Sequence, residues 1–246
     1  MKVIILAGGF GTRLSEKTLH LPKPMVLIGG KPILEHIING FLKYGVTNFY
    51  IALGYKSKII KKFFIKKSKK KESLSKKKIE LNIDKKYNIT LLETGLNTMT
   101  GGRIRKFKKI IKNDDFIVTY GDAVSDINIS ELVNFHKKNK KIGTITSVKP
   151  PARFGELILR GKYVKSFKEK PQMQKGWING GFFIFSSKIF KFIKKSSTML
   201  EKYPLEKLVR LKQLCSYKHS GFWHCMDNKR DFDSLNKIYK RKNSFY

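Results

Sequence analysis

The sequence predicts a doubly wound α/β fold built on a mostly parallel, mixed sheet. Three observations carry that reading. Lys2 to Ala7 is an unbroken apolar run closed by glycines, the pattern of a strand buried on both faces of a parallel sheet. Strand-like and helix-like segments then alternate along the chain, as a doubly wound sheet requires. Hydrophobic residues make up 41% and aromatics 12% of 246 residues, enough for a sizeable core; the length suits one large domain or two small ones, and a single domain spanning residues 1–246 is expected.

After the first strand comes a glycine-rich loop, Gly8 to Arg13, and then Pro22-Lys23-Pro24-Met25. Pro32 to Tyr44 predicts a helix: Pro32 suits its first turn, Ile33, Ile37, Phe41 and Tyr44 share a face, and Gly45 stands where a C-cap glycine belongs. Asn48 to Leu53 predicts a strand and Lys56 to Phe64 a helix. The stretch 66–86 breaks the rhythm, with many lysines, few large apolar residues and no clear period, and predicts a mobile insert. Strands are expected at Ile89 to Glu93, Phe116 to Tyr120, Ile142 to Lys149 and Trp177 to Phe185, with a hairpin of Phe154 to Leu159 and Tyr163 to Phe167 around Gly161. Helices are expected at Ile104 to Ile111, Ile129 to Asn139 and Ser187 to Lys195. Two further helices are expected at Pro204 to Leu211 and at Asp231 to Arg241, the latter a helical tail beyond a core ending near residue 231.

Lys plus Arg number 53 against 18 Asp plus Glu, a formal charge of +35. Such a balance suits nucleic acid or an anionic membrane. The excess is nearly all lysine and is scattered, and Asn and Ile are plentiful too, a pattern that an AT-rich genome also produces. No aromatic-basic interleaving of the RNA-recognition kind accompanies it, so no nucleic-acid partner is expected. The apolar run Val3 to Ala7 is too short for a signal peptide or a membrane span. A soluble cytoplasmic protein without a membrane partner is the expectation. Cys215 and Cys225 form no CxxC pair, and His20, His36, His136, His219 and His224 show no metal-ligand spacing.

Three motifs carry chemistry. In Leu6-Ala7-Gly8-Gly9-Phe10-Gly11-Thr12-Arg13 a buried strand runs into three glycines, so backbone N–H groups can approach an anion and Arg13 adds a fork of donors. A plain strand-to-loop turn is the alternative for this segment. Lys23 is a cation on a stiff mount between Pro22 and Pro24. Asp122 follows Tyr120-Gly121 at a strand's C-terminal end, where carboxylates of open α/β sheets face the ligand crevice and suit Mg²⁺; a capping role is its alternative.

Taken together, these segments resemble the sugar-phosphate nucleotidylyltransferases, whose GGxGTRL and PKPM motifs match Gly8 to Leu14 and Pro22 to Met25. The resemblance narrows to the glucose-1-phosphate cytidylyltransferase branch through Thr94-Gly95, Thr98-Met99-Thr100-Gly101-Gly102-Arg103, Thr119 to Asp122, Arg153-Phe154-Gly155, Phe167 to Pro171, Ile178 to Phe183, Gly221-Phe222-Trp223 and Met226-Asp227. It implies a Rossmann-like sheet of the nucleotide-diphospho-sugar transferase type. It also implies roles. Leu6, Ala7, Gly8, Gly9, Gly11, Thr12, Arg13, Lys23, Thr98, Arg103 and Gly121 would hold the nucleotide, with Arg13, Lys23 and Asp122 catalytic. Asp122 and Asp227 would share one Mg²⁺. Glu169, Lys170, Asn179 and Gly180 would hold the sugar phosphate.

The substrates implied are CTP and glucose 1-phosphate, giving CDP-glucose and pyrophosphate in a step that leads toward surface polysaccharides. A sibling enzyme using UTP, dTTP or another sugar phosphate is the first alternative, and a non-catalytic binder of RNA or acidic surfaces, needing neither Asp122 nor Asp227, is the second. A homo-oligomer, a hexamer, is implied as well, although the segment 66–86 that builds subunit contacts in the family is shorter and more basic here.

Overall fold

The computed structural model describes residues 1–11, 20–150, 155–168 and 176–246. In chain order the strands are β1 (Lys2–Ala7), β2 (Leu27–Ile28), β3 (Lys31–Pro32), β4 (Asn48–Leu53), β5 (Lys78–Ile83), β6 (Tyr87–Glu93), β7 (Phe116–Tyr120), β8 (Ala123–Ser125), β9 (Gly143–Val148), β10 (Glu156–Arg160), β11 (Tyr163–Lys168), β12 (Ile178–Phe185), β13 (Leu214–His219) and β14 (Trp223–Cys225). The helices are α1 (Ile33–Leu42), α2 (Ser57–Ser68), α3 (Thr100–Arg105), α4 (Lys108–Ile111), α5 (Ile129–Asn139), α6 (Tyr203–Arg210) and α7 (Lys229–Lys242).

Among the described residues the main sheet has eight strands in the order β13-β9-β12-β7-β1-β4-β6-β5. Strand β1 lies between β4 and β7 and is parallel to both. Only β12 and the edge strand β5 run against their neighbours in this sheet. Side chains of β1 alternate between the two faces: Val3, Ile5 and Ala7 join one core cluster, Ile4 and Leu6 the other. That double burial is the reason the segment reads as a continuous apolar run rather than an alternating one. Helix α1 seats Ile33, Leu34, Ile37, Ile38 and Phe41 in the first cluster, and α6 seats Leu205 and Leu208 in the second. The mixed α/β sheet expected from the sequence is present. Because the chain leaves β1 toward β4 and later returns on its other side through β7, the sheet has a topological switch point at the C-terminal end of β1.

The stretch 66–86 is more ordered than its composition predicts. Helix α2 runs to Ser68, and Lys78–Ile83 is an edge strand paired antiparallel with β6. Ile79, Leu81 and Ile83 are buried while Lys78, Glu80 and Asn82 face solvent. The period of two is there, but the lysines around it hide it; charged residues on an edge strand also discourage pairing with other chains. Lys61 of α2 anchors the intervening loop. Its buried ammonium donates to the carbonyls of Leu74 (3.0 Å) and Lys76 (2.8 Å) and pairs with Glu93 (2.7 Å). Two further segments differ from expectation. Residues 104–111 form two short helices rather than one, and Ser187–Phe192 is a 3₁₀ turn. Strands β13 and β14, not foreseen, pair with β9 and β8. No helix among the described residues is long and apolar enough to cross a membrane.

Two buried histidines, His36 and His136, do structural work. His36 is buried and its Nε2–H donates to the Ile28 carbonyl at 2.9 Å, since a carbonyl can only accept. His136 is buried against Thr144 Oγ1 at 2.8 Å. Burial lowers both pKa values from the ordinary 6.5, outweighing Ile28's bond at His36 and Asp115's charge at His136. A depressed histidine pKa means that the unfolded chain takes up protons first as pH falls. The stability is therefore full above about pH 6.5 and is lost as pH drops through the folded values. Urea midpoints measured between pH 7.5 and pH 5 should fall with acid, and His36→Asn should flatten that slope; an unchanged slope would reject the assignment.

Candidate active site

A cleft of about 620 Å³ opens at the C-terminal ends of the central strands. Its floor is the β1 loop, with Leu6, Ala7, Gly8, Gly9, Phe10 and Gly11. One wall carries Tyr120, Gly121 and Asp122 from the end of β7, and the other carries Leu96 to Thr100 together with Arg103. Lys23, Pro24 and Asp227 complete it. Thus the glycine loop, Lys23, Thr98, Arg103, Gly121, Asp122 and Asp227, far apart in sequence, meet where the topology places a ligand crevice.

Glycine is required in the floor. A Cβ at Gly8 would sit 2.3 Å from Arg103 Nη1 and 2.9 Å from the Gly54 nitrogen. Gly11 adopts φ = 68°, a left-handed conformation that glycine takes without strain.

The charged centre is a triad of Lys23, Asp122 and Asp227. Pro22, extended at φ = −66° and ψ = 144°, leads into a single 3₁₀ turn, Lys23–Met25, with Pro24 and Met25 buried. The turn aims the Lys23 ammonium at Asp122 Oδ2 and Asp227 Oδ1, 2.7 Å from each. The two aspartates come together because β14 pairs with β8: Cys225 stands opposite Ala123, and the Met226 N–H donates to the Asp122 carbonyl at 2.8 Å. Asp227 is oriented in turn by Asp231, whose Oδ2 accepts its backbone N–H at 3.0 Å, while Asn228 caps α7 by accepting from the Asp231 N–H. Burial pulls the Lys23 pKa down, but the charges and hydrogen bonds of Asp122 and Asp227 outweigh it and hold the ammonium above its ordinary 10.5. The neighbouring Cys225 thiol is pushed well up, by burial first and then by the two aspartates, so it is not a ready nucleophile.

Arg103 lies on the cleft but turns inward. Its Nη1 donates to the Leu53 carbonyl (3.0 Å), Thr94 Oγ1 (2.6 Å) and the Gly95 carbonyl (2.9 Å). Its Nη2 donates to the carbonyls of Gly8 (2.9 Å) and Leu96 (3.1 Å). The guanidinium therefore joins the β1 loop, the end of β4 and the segment 94–96. Burial lowers its pKa from 12.5, opposed by Glu93. The glycines that precede it in the Thr98–Arg103 run permit close backbone contact: a Cβ on Gly102 would meet the Ser196 carbonyl oxygen at 2.1 Å, and one on Gly101 the Thr198 carbonyl at 2.8 Å.

Asn179 and Gly180 are placed beside the cleft rather than in its lining. On β12, the Asn179 Oδ1 accepts the Gly181 N–H at 2.8 Å. The Gly180 carbonyl accepts Trp223 Nε1–H at 2.7 Å. Thr12, Arg13, Glu169 and Lys170, and the pair Arg153-Phe154, lie outside the described residues. Sequence reasoning did not single out Tyr120 or Thr100 as site residues, nor Leu96, Asn97 and Met99; all line the cleft. Tyr120, Met99 and Thr100 had membership of the motifs as their one sequence signal, whereas Leu96 and Asn97 fall between Thr94-Gly95 and the Thr98–Arg103 run and had none.

Comparisons with known proteins agree with this geometry. A family model described as "Nucleotidyl transferase" matches residues 2–236. The chain is 40% identical to the glucose-1-phosphate cytidylyltransferase of Salmonella typhimurium, over 98% of this chain and 96% of that one. It is equally similar, at 40%, to the enzyme of the same name from Salmonella typhi, with the same coverage of both chains. Among solved structures, HddC from Yersinia pseudotuberculosis superposes with a TM-score of 0.72 at 25% identity, covering 97% of this chain and 99% of that one. The chain is a nucleotidyltransferase: it belongs to the nucleotidyl transferase family, within its glucose-1-phosphate cytidylyltransferase branch.

Proposed function

We propose that the chain transfers a cytidylyl group from CTP to α-D-glucose 1-phosphate, releasing CDP-glucose and pyrophosphate. The observation that carries the chemistry is the convergence of Lys23, Asp122 and Asp227 beside a glycine loop at the sheet's switch point. The names of the Salmonella relatives support the choice of base and sugar.

A phosphate oxygen of the sugar phosphate attacks the α-phosphorus in line, and pyrophosphate leaves. The nucleophile is already an anion, so no general base is needed, and the protein's work is positioning and charge neutralisation. The N–H groups of the β1 loop face the nucleotide, and the Lys23 ammonium meets triphosphate oxygens, with Arg13 assigned the same task by the family motif. Thr98, Gly121 and Arg103 shape the nucleotide side. Glu169, Lys170, Asn179 and Gly180 are assigned to the sugar phosphate. Asp122 and Asp227 would hold Mg²⁺. They suit it: two carboxylates already converge on a single cation, the Lys23 ammonium, and Mg²⁺ usually takes one or two protein carboxylates and fills its remaining positions with water and substrate phosphate. When bound, the ion supplies positive charge to the phosphates.

The same reading has the chain act in the cytoplasm as a single domain that assembles into a homo-oligomer, a hexamer, with light scattering as the check on assembly. The reaction is tested by pyrophosphate release from CTP, UTP, dTTP and GTP against a panel of sugar 1-phosphates. The highest kcat/KM is expected for CTP with glucose 1-phosphate. Turnover confined to UTP would reject the cytidylyl assignment and favour a sibling enzyme.

A further inference from the structure

Glu201 belongs to none of the motifs and does not line the cleft, yet it touches both walls. Its Oε1 accepts the Tyr120 phenol O–H at 2.5 Å, from the end of β7. Its Oε2 accepts the Thr100 hydroxyl at 2.6 Å, from the first residue of α3. The same Thr100 oxygen accepts the Leu200 N–H at 2.9 Å, which fixes the Glu201 backbone against α3. Tyr120 stands two residues before Asp122, and Thr100 two residues after Thr98. The phenol is packed edge-on against Phe183 with ring centroids 5.9 Å apart, and Gly181 leaves it room, since a Cβ there would lie 2.6 Å from its ring.

We propose that Glu201 is a positioning residue, a brace that ties the carboxylate wall of the cleft to its Thr98–Thr100 wall through the Tyr120 phenol and the Thr100 hydroxyl. One rigid carboxylate accepting from both walls sets the separation of the groups that receive the two substrates. A small error in that separation is costly in turnover, because transfer in line depends on near-attack geometry. The kinetic consequence rests on the proposed transfer reaction; the brace itself rests on the contacts.

The test compares Glu201→Ala, Glu201→Gln, Tyr120→Phe, Thr100→Val and the Tyr120→Phe/Thr100→Val double variant, the last three in both wild-type and Glu201→Ala backgrounds. Glutamine can accept from the phenol and donate to the threonine oxygen, so it keeps the link without the charge. Expected results are a tenfold to hundredfold loss of kcat/KM in Glu201→Ala, recovery to within about threefold of wild type in Glu201→Gln, and faster amide hydrogen exchange across residues 98–103 in Glu201→Ala but not in Glu201→Gln. The Tyr120 and Thr100 substitutions should be non-additive in the wild-type background and additive without Glu201. Unchanged exchange and kinetics in Glu201→Ala would overturn the brace. So would equal impairment of Glu201→Ala and Glu201→Gln, or additivity in both backgrounds. If the wild-type protein failed to turn over CTP and glucose 1-phosphate, the reaction would fall, while hydrogen exchange would still decide the brace.

Discussion

Asp122→Asn should lower kcat about a thousandfold at saturating CTP, glucose 1-phosphate and Mg²⁺, roughly 4 kcal/mol of transition-state stabilisation. The substitution is nearly isosteric and leaves the backbone carbonyl that accepts the Met226 N–H in place. The β8–β14 pairing therefore survives, and the variant should fold. What disappears is half of the negative charge that now holds Lys23. The ammonium, with a side chain only 11% exposed, is left with Asp227 as its carboxylate partner at 2.7 Å. A divalent cation sharing this site would lose a carboxylate too, so higher Mg²⁺ concentrations should restore only part of the rate. Asp227→Asn should behave alike, because both oxygens stand at the same distance from the same cation. Asp114→Asn provides a control for the general effect of removing a carboxylate. Asp114 pairs with Lys2 and is 61% exposed, at the opposite end of β1, and its loss should leave kcat unchanged. Steady-state kinetics with thermal denaturation in parallel decide the matter. Wild-type kcat in Asp122→Asn at saturating Mg²⁺ would sink the assigned role.

Much of the fold was legible because its signals are local. The run Lys2 to Ala7, the Pro32 and Gly45 ends of α1 and the alternation from Asn48 onward each depend on residues within a few positions of one another. The carboxylates were legible by position, since Asp122 follows a buried strand. Their meeting was not, because it depends on the pairing of β14 with β8, and β14 is three residues long with little pattern of its own. Strand β5 was hidden for a different reason. Its buried face is Ile79, Leu81 and Ile83, but its exposed face is polar (Lys78, Glu80, Asn82) and its flanks are rich in lysine, and charge density of that kind resembles an unstructured segment. Glu201 lay beyond sequence reasoning altogether, since its partners are 81 and 101 positions away. Arg103 was found but its direction was not. The resemblance assigns Arg103 to the nucleotide, and only the packing of Gly101 and Gly102 on residues 196–198 shows why it is drawn inward.

That inward turn makes Arg103→Ala the substitution with the largest expected effect on stability, about 3–5 kcal/mol. Arg103 is 4% exposed, so water replaces only part of what it supplies. Not every acceptor would be stranded. The Gly8 carbonyl also accepts the Tyr55 N–H at 3.1 Å, and the Leu53 carbonyl accepts the Thr94 N–H at 3.0 Å and the Thr94 hydroxyl at 2.6 Å. The Gly95 and Leu96 carbonyls also lose Arg103 as a partner, but both residues are exposed and water can take its place there, so the cost lies mainly in breaking a charge-assisted hydrogen-bond network around a buried guanidinium. The volume of the missing side chain adds a cavity cost between the β1 loop and the segment 94–96. Arg103→Lys should recover only part of this, because a single ammonium cannot reproduce a planar fork that reaches Leu53 and Gly95 on one side and Gly8 and Leu96 on the other. The kinetic consequence follows from the same contacts. With the Gly8 carbonyl released, the glycine loop loses its tie to the Thr98 wall, and KM for CTP should rise in both variants. An arginine that served only as a phosphate ligand would behave differently: its removal would weaken CTP binding and leave the ligand-free protein as stable as before. Urea denaturation without nucleotide separates the two. A wild-type midpoint in Arg103→Ala would show that the guanidinium holds ligand rather than loop, and the inward fork would then have no structural weight.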